Sequence, residues 1–487
     1  MRIFSLSIKL VSITILGCMI LCGCQKNPQD VVANNTSTTS DENIQQVLPA
    51  AEPAAKIHKS FESTDGSVRF ELNIQTDTAI SSLPTVKVQP HYLTKQDAQQ
   101  TAHALFGDAA FYEREPYESA TFSKTEIQDR LQRWSGYIGN DALYNLYGTE
   151  DIDFVKELVQ KYIREYTLKL ETASNENTHI PCKWEYKEDC LYTFAPDNIT
   201  PEELASANSA ILANCTVNGI RYCFDAVTRN KSDYKLNIIS AYIDGSNSPF
   251  GIDEAIARAT LCRTGKPEQS QVNAISQKAE NILGEIGIGQ WIIDSCTLQE
   301  DTIGNKTEYS IRVNALPVLA GARAVDCSPF FKLKGEDVYA SNYYLTSAQF
   351  TFAPDGTLLS FELTSPIDII EIGEQTEVAS STDEMIARGI NQLSLTDYYA
   401  FYTGDTKKFD NISVLCNVSI TGGYYGLVRT KIANQDDQYQ YIPSFVLTGT
   451  YDFSNPDTGD LYMSKDEEGI LLALNAADGT VLIAPGA

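Results

Sequence analysis

Asp253-Glu254-Ala255-Ile256-Ala257-Arg258-Ala259 returns as Asp383-Glu384-Met385-Ile386-Ala387-Arg388-Gly389, and Ala353-Pro354-Asp355-Gly356-Thr357-Leu358-Leu359 returns as Ala476-Ala477-Asp478-Gly479-Thr480-Val481-Leu482. The two pairs keep their order and lie about 125 residues apart, the pattern of a duplicated unit. In each copy a helix with acids in its first turn leads into strands, and the last two strands meet at an Asp-Gly hairpin. Glycine there supplies the positive φ that the turn needs. The earlier copy carries a second helix, about Gln271 to Ile286, before its strands. A more divergent unit, beginning at Thr94, would make three. The expected fold class is therefore α+β, with tandem modules of helices packed on antiparallel β-sheets.

Outward from the repeat, local signals place further elements. In Leu93-Thr94-Lys95-Gln96-Asp97-Ala98, Thr94 can cap a helix with Asp97 at its third position. Ala98, Ala102, Leu105 and Phe106 share one face, Gly107 stops the helix, and His103 falls beside that face as a surface residue. Ser123 and Glu126 open a helix that runs through Trp134. From Asp151 to about Ala173, Ile152, Val155, Leu158, Val159, Tyr162, Ile163, Tyr166 and Leu170 form an apolar stripe, read as core packing with a partner groove as the alternative. Thr200-Pro201-Glu202-Glu203 is a helix start, and Asn218-Gly219 separates two strands as a hairpin turn. Val68 to Ile74 alternates as a half-buried strand, Val86 to Val88 is another, and Lys235 to Ile243 a third. Asn27 to about Ala55, low in apolar residues and rich in Asn, Thr, Ser, Pro and Ala, reads as a flexible spacer. The expected layout is an export signal (1–23), a tether (24–59), an N-terminal module (60–248), a middle module (249–376) and a C-terminal module (377–487).

The helix starts at Leu93-Thr94-Lys95-Gln96-Asp97-Ala98 and Gly251-Ile252-Asp253-Glu254-Ala255-Ile256-Ala257 resemble those of PepSY-type modules, as does the closing Leu474-Asn475-Ala476-Ala477-Asp478-Gly479-Thr480-Val481. That resemblance implies small α+β units that inhibit or bind on exported bacterial proteins. Cys24, the Ser/Thr-rich spacer and the module order together resemble an uncharacterised group of Gram-positive lipoproteins of the Clostridia type, known by a domain of unknown function. The closing motif also carries a distant similarity to the YycH/YycI class of extracellular regulators of a sensor kinase. Those proteins have an N-terminal membrane helix where this chain has a candidate lipid site.

That site is Leu21-Cys22-Gly23-Cys24. Arg2 and Lys9 give a positive start, and an apolar run from Leu10 to Leu21 follows, too short for the roughly 20 residues a spanning helix needs. A small residue before a cysteine, with Leu three positions ahead, resembles the lipobox of bacterial lipoproteins. The resemblance implies cleavage after Gly23 and lipidation of Cys24, which would hold the protein to the outer face of the cell membrane. Cys18 is a competing site. Cys24 is better placed because Gln25-Lys26-Asn27-Pro28 turns polar directly behind it. An ordinary signal peptide and an uncleaved anchor are the alternatives.

The chain has 487 residues and a net charge of -27. Removal of 1–23 takes Arg2 and Lys9 but no acid, leaving -29. Such a chain repels nucleic acid, so nucleic acid is excluded as a partner; a membrane or envelope protein is the partner class expected. Cys182 to Cys190 and Cys215 to Cys223 span equal intervals across expected hairpins. Each pair is open to two readings, a small disulfide loop or buried reduced thiols. There is no G-x-S-x-G, H-E-x-x-H, P-loop or Rossmann fingerprint, and the four histidines lack zinc spacing, so no catalytic residue, metal ligand or cofactor is assigned. Asn455-Pro456-Asp457-Thr458-Gly459-Asp460 is oxygen-rich but reads as a turn before a Ca²⁺ loop. The tyrosine clusters at 343–344, 398–402, 424–425 and 439–441 either bind glycans or peptides or cover a core. The expected function is a non-enzymatic binding or regulatory lipoprotein; capture of envelope glycan or oligomers, and a carboxylate-dependent envelope hydrolase, are the alternatives.

Overall fold

The computed structural model describes residues 56–63, 66, 68–76, 82–114, 123–138, 152–175, 179–188, 208–229, 236–243, 252–303, 306–325, 346–378, 381–394, 415–432, 435 and 438–483. The signal, Gly23, Cys24, the spacer up to Ala55, Cys190, the helix start at Thr200, and the tyrosines at 343–344 and 398–402 lie outside them. Among the described residues strand (51%) outweighs helix (28%), so the expected α+β fold is sheet-dominated. The chain divides into two compact units. Unit 1 comprises Met1–Gln89, Val318–Asn342 and Asp368–Ala487; unit 2 comprises Pro90–Pro317 and Tyr343–Ile367.

Unit 1 is built on two long strands, β15 (Leu415–Lys431) and β16 (Tyr439–Ser454), paired antiparallel along their length. β1 (Lys56–Glu62) and β2 (Val68–Thr76) form a hairpin, and β2 runs parallel to β15. β17 (Leu461–Asn475) pairs with β16, and β18 (Val481–Ile483) with β17. Beyond these partners, β11 (Ala322–Val325) lies parallel to β15, while β3 (Ser82–Pro90) pairs with β16 and with β14 (Ile367–Glu377). The sheet is therefore mixed, not purely antiparallel as expected. A parallel pair cannot be closed by a tight turn, and β15 takes its two parallel neighbours from distant parts of the chain.

One helix of unit 1, α6 (Thr382–Ser394), buries Met385, Ile386, Gly389 and Leu393. A Cβ at Gly389 would stand 2.5 Å from Leu447 Cδ1, so the missing side chain lets the helix seat closely on the sheet. Tyr424, Tyr425, Tyr439 and Tyr441 are all buried, which answers the question for these two clusters in favour of core. The Arg323 and Arg429 guanidiniums lie over the Tyr424 and Tyr439 rings.

Unit 2 carries an antiparallel sheet in the order β9 (Trp291–Ile303), β10 (Lys306–Leu319), β12 (Ser347–Phe352), β13 (Leu358–Thr364), β8 (Leu236–Ile243), β7 (Ile220–Arg229), β6 (Asn208–Val217). Two short strands, β4 (Phe111–Glu113) and β5 (Lys187–Glu188), flank β6. The β6–β7 turn is the expected Asn218-Gly219, both residues at positive φ. Two helices cover one face. α1 (Lys95–Phe106) starts with the Thr94–Asp97 capping box and stops at Gly107 as expected. α5 (Gln269–Ile286) buries Val272, Ile275, Ala279, Ile282, Leu283 and Ile286, the i, i+3, i+4 spacing of a core-facing stripe. These meet Phe224, Ala241, Val313, Phe350 and Phe361 from the sheet. At about 1.5–3 kcal/mol for each large apolar side chain buried, this layer is what holds the sheet and helices together. α2 (Lys124–Gly136) and α3 (Ile152–Thr172) pack on each other through Trp134, Val155, Val159, Tyr162 and Tyr166, so the α3 stripe is core.

Pairing ignores the expected cut at 248/249, because β8 lies beside β13 over five residues. Nor does the repeated helix start correspond as the sequence match implied. Asp253 belongs to α4 (Ile252–Cys262), but the helix seated on the 355–356 turn is α5, whose Lys278 Nζ donates to Gly356 O at 2.8 Å. On α6, Arg388 Nη1 donates to Asp478 O at 2.8 Å. In both turns the Asp side chain accepts the Thr N–H two residues on, at 2.9 Å. The closing motif thus repeats in geometry, and the helix motif opens a helix in both copies, but the helix docked on the turn is α5 in the earlier copy and α6 in the later one.

Candidate functional site

Side chains alternate across a strand, so the residues next to the unit 2 core layer point to the sheet's other face. Five strands carry a polar residue beside a buried apolar one: Asp225 beside Phe224, Ser240 beside Ala241, Glu362 beside Phe361, Gln349 beside Phe350 and Asn314 beside Val313. The register brings them into one row. Asp225 is opposite Ser240, Ser240 opposite Glu362, Glu362 opposite Gln349, Gln349 opposite Asn314, and Asn314 opposite Ser295. Adjacent members are one strand spacing apart, about 4.8 Å.

Half of the row is internally bonded. Gln349 Nε2 donates to Asn314 Oδ1 at 2.8 Å, and Asn314 Nδ2 donates to Ser295 Oγ at 2.9 Å. At the far end, Asp225 is buried and accepts from the Arg114 guanidinium and from the Tyr242 hydroxyl at 3.2 Å. Burial opposes the charge on Arg114, but Asp225 more than offsets it and holds the guanidinium protonated. Between these ends stand Ser240 and Glu362. Ser240 is 7% exposed, and its Oγ has no hydrogen-bond partner among the described residues. Glu362 accepts from Thr364 Oγ1 at 3.0 Å and has no ion-pair partner among the described residues. Burial raises its carboxyl above the ordinary range, against the lowering effect of the Thr364 bond. The row deepens from half-buried Ser295, Asn314 and Gln349 to buried Ser240 and Asp225.

None of these residues was singled out from sequence. The available signal was a lone polar residue inside an apolar strand, repeated strand after strand; what was missing was the register that aligns them. The residues that were singled out are placed elsewhere. Cys215 is a buried free thiol opposite Tyr222, while Cys223 is opposite Asn214 and faces the other side of the sheet, so the 215–223 bridge is not formed. Burial pushes Cys215 up to about 12 and Cys262 up to about 11, as in thiols acting as small hydrophobes. Cys182 is half-buried and free, and its proposed partner Cys190 lies outside the described residues. The 455–460 segment is a turn, its Asn455 Oδ1 accepting from the Asp457 and Thr458 N–H groups. His103 is exposed, as expected.

Among the described residues, no three or more His, Cys, Asp or Glu side chains gather as metal ligands would, and no helix is long and apolar enough to cross a membrane. No protein-family model and no curated protein matches the chain. The crystal structure of an uncharacterized protein from Eubacterium rectale ATCC 33656 is similar at a TM-score of 0.35 and 10% identity, over 85% of this chain and 90% of that one.

Proposed function

We propose that this chain is an exported protein, lipid-anchored through Cys24 to the outer face of the cell membrane, which binds or regulates a protein or peptide without chemistry of its own. The observation that carries this reading is Leu21-Cys22-Gly23-Cys24, behind a basic start and a short apolar run. The acidic balance fits a fold held off an anionic surface on a tether. The binding surface in this reading is the polar row of unit 2. The finer architecture belongs to the same proposal: PepSY-like modules in which α1 serves β6–β8, α5 serves β9, β10, β12 and β13, and α6 serves β15–β18.

The two alternatives are weaker. Glycan capture relied on exposed tyrosines, and Tyr424, Tyr425, Tyr439 and Tyr441 are buried. A carboxylate hydrolase would draw on Asp225 and Glu362, two strands or about 10 Å apart. Asp225, however, is 2% exposed and engaged by Arg114 and Tyr242, out of reach of an attacking water.

Replacing Cys24 by Ala tests the anchor. The expected outcome is release into the medium or an unprocessed precursor in the membrane fraction. Correctly cut protein that stays with the membrane would overturn it.

A further inference from the structure

From a carboxylate with no ion-pair partner and a buried hydroxyl with no hydrogen bond among the described residues, we infer that Glu362, Ser240 and Gln349 form a receptor for a lysine ammonium presented by a peptide. This rests on the reading of the polar sheet face as the binding surface and names its ligand. Among the described residues no cation pairs with Glu362, and a carboxylate drawn largely out of water is stable only when paired or protonated. Ser240 Oγ, directly across from it, is buried without a hydrogen bond, a cost that a ligand group would remove. Gln349, on the other flank, spends its amide N–H on Asn314, which leaves its carbonyl oxygen as an acceptor.

An ammonium has three donors and no acceptor, so a carboxylate, a hydroxyl and an amide carbonyl in one row complement it. A guanidinium is a poorer match, because its planar fork asks for bidentate acceptors. Of the three acceptors Ser240 is buried, and Glu362 and Gln349 beside it are half-buried. A four-carbon stem delivers a charge to that depth, whereas the amine of a sugar ring is carried close to a bulky body. The chain's net charge of -27 draws cationic peptides towards it.

The test uses the full chain and Nα-acetyl-lysine methylamide as probe, with its Nε-acetylated form and glucosamine as comparisons, read by calorimetric titration. Saturable binding of the lysine probe alone is expected. Glu362→Gln, which keeps size and removes charge, should weaken it at least about tenfold, as loss of a charge-assisted bond does. Ser240→Ala should weaken it by a smaller factor, and this second variant decides the matter if Glu362→Gln does not fold. Equal binding of the Nε-acetylated probe, unchanged affinity in both variants, preference for glucosamine, or no saturation would each overturn the proposal. None of these results alters the Cys24 fractionation, so failure of the ammonium site and failure of the anchor are distinguishable.

Discussion

Glu362 combines a cost to the fold with the central place in the proposed ammonium site. Its carboxyl is raised by burial, so the folded chain holds that proton more tightly than the unfolded chain does. As pH climbs through the ordinary carboxylate range, the unfolded state loses this proton first, and stability falls until the folded state has lost it too. Glu362→Gln removes that dependence. Urea midpoints at about pH 4 and about pH 7 should show little gain at the lower pH and a clear gain at the higher one. A gain independent of pH would mean that the carboxyl is not the source of the strain. Stabilisation of the empty protein together with weaker lysine binding marks a residue kept for binding, because a purely structural residue would lose stability on replacement.

Helices and strands differ in how much of their construction is local. Thr94→Ala deletes a cap whose hydroxyl accepts the Asp97 N–H at 3.2 Å, and should cost about 1 kcal/mol. Gly449→Ala should cost several times more, since its Cβ would collide with the Ser419 carbonyl and come within 2.9 Å of Leu471 Cδ1. Comparing the two urea midpoints tests the contrast; a Gly449 variant as mild as the Thr94 variant would mean that β15 and β16 can separate. The Thr94–Asp97 and Ser123–Glu126 caps, the Asn218-Gly219 turn and the two Asp-Gly turns were legible because each is complete within a few residues. Gly449 was not, because its neighbour Ser419 is supplied by another strand. The polar row was hidden for the same reason. Glu362 between Phe361 and Leu363 is visible as an oddity in one strand, but only pairing shows that Ser240 and Gln349 stand beside it.

At the scale of the whole molecule, the order of the chain and the order of the fold part company. A repeat read along the sequence suggests a C-terminal module at 377–487 that folds alone, yet β15 and β16 draw β2, β11 and β3 from far earlier in the chain. A fragment of residues 377–487 would leave one long side of β15 with its backbone N–H and C=O groups unpaired, an edge that invites association. Unit 2 is different, since its sheet and both covering helices lie between Pro90 and Ile367. Expressed separately, residues 90–367 should unfold cooperatively in urea, while residues 377–487 should aggregate or lack a cooperative transition. Cooperative unfolding of the C-terminal fragment as a soluble monomer would show that its strands need no borrowed neighbours, and would restore the linear modules suggested by the repeat. Failure of both fragments would instead mean that neither sheet is stable without the rest of the chain, and that the polar row is formed only in the intact protein.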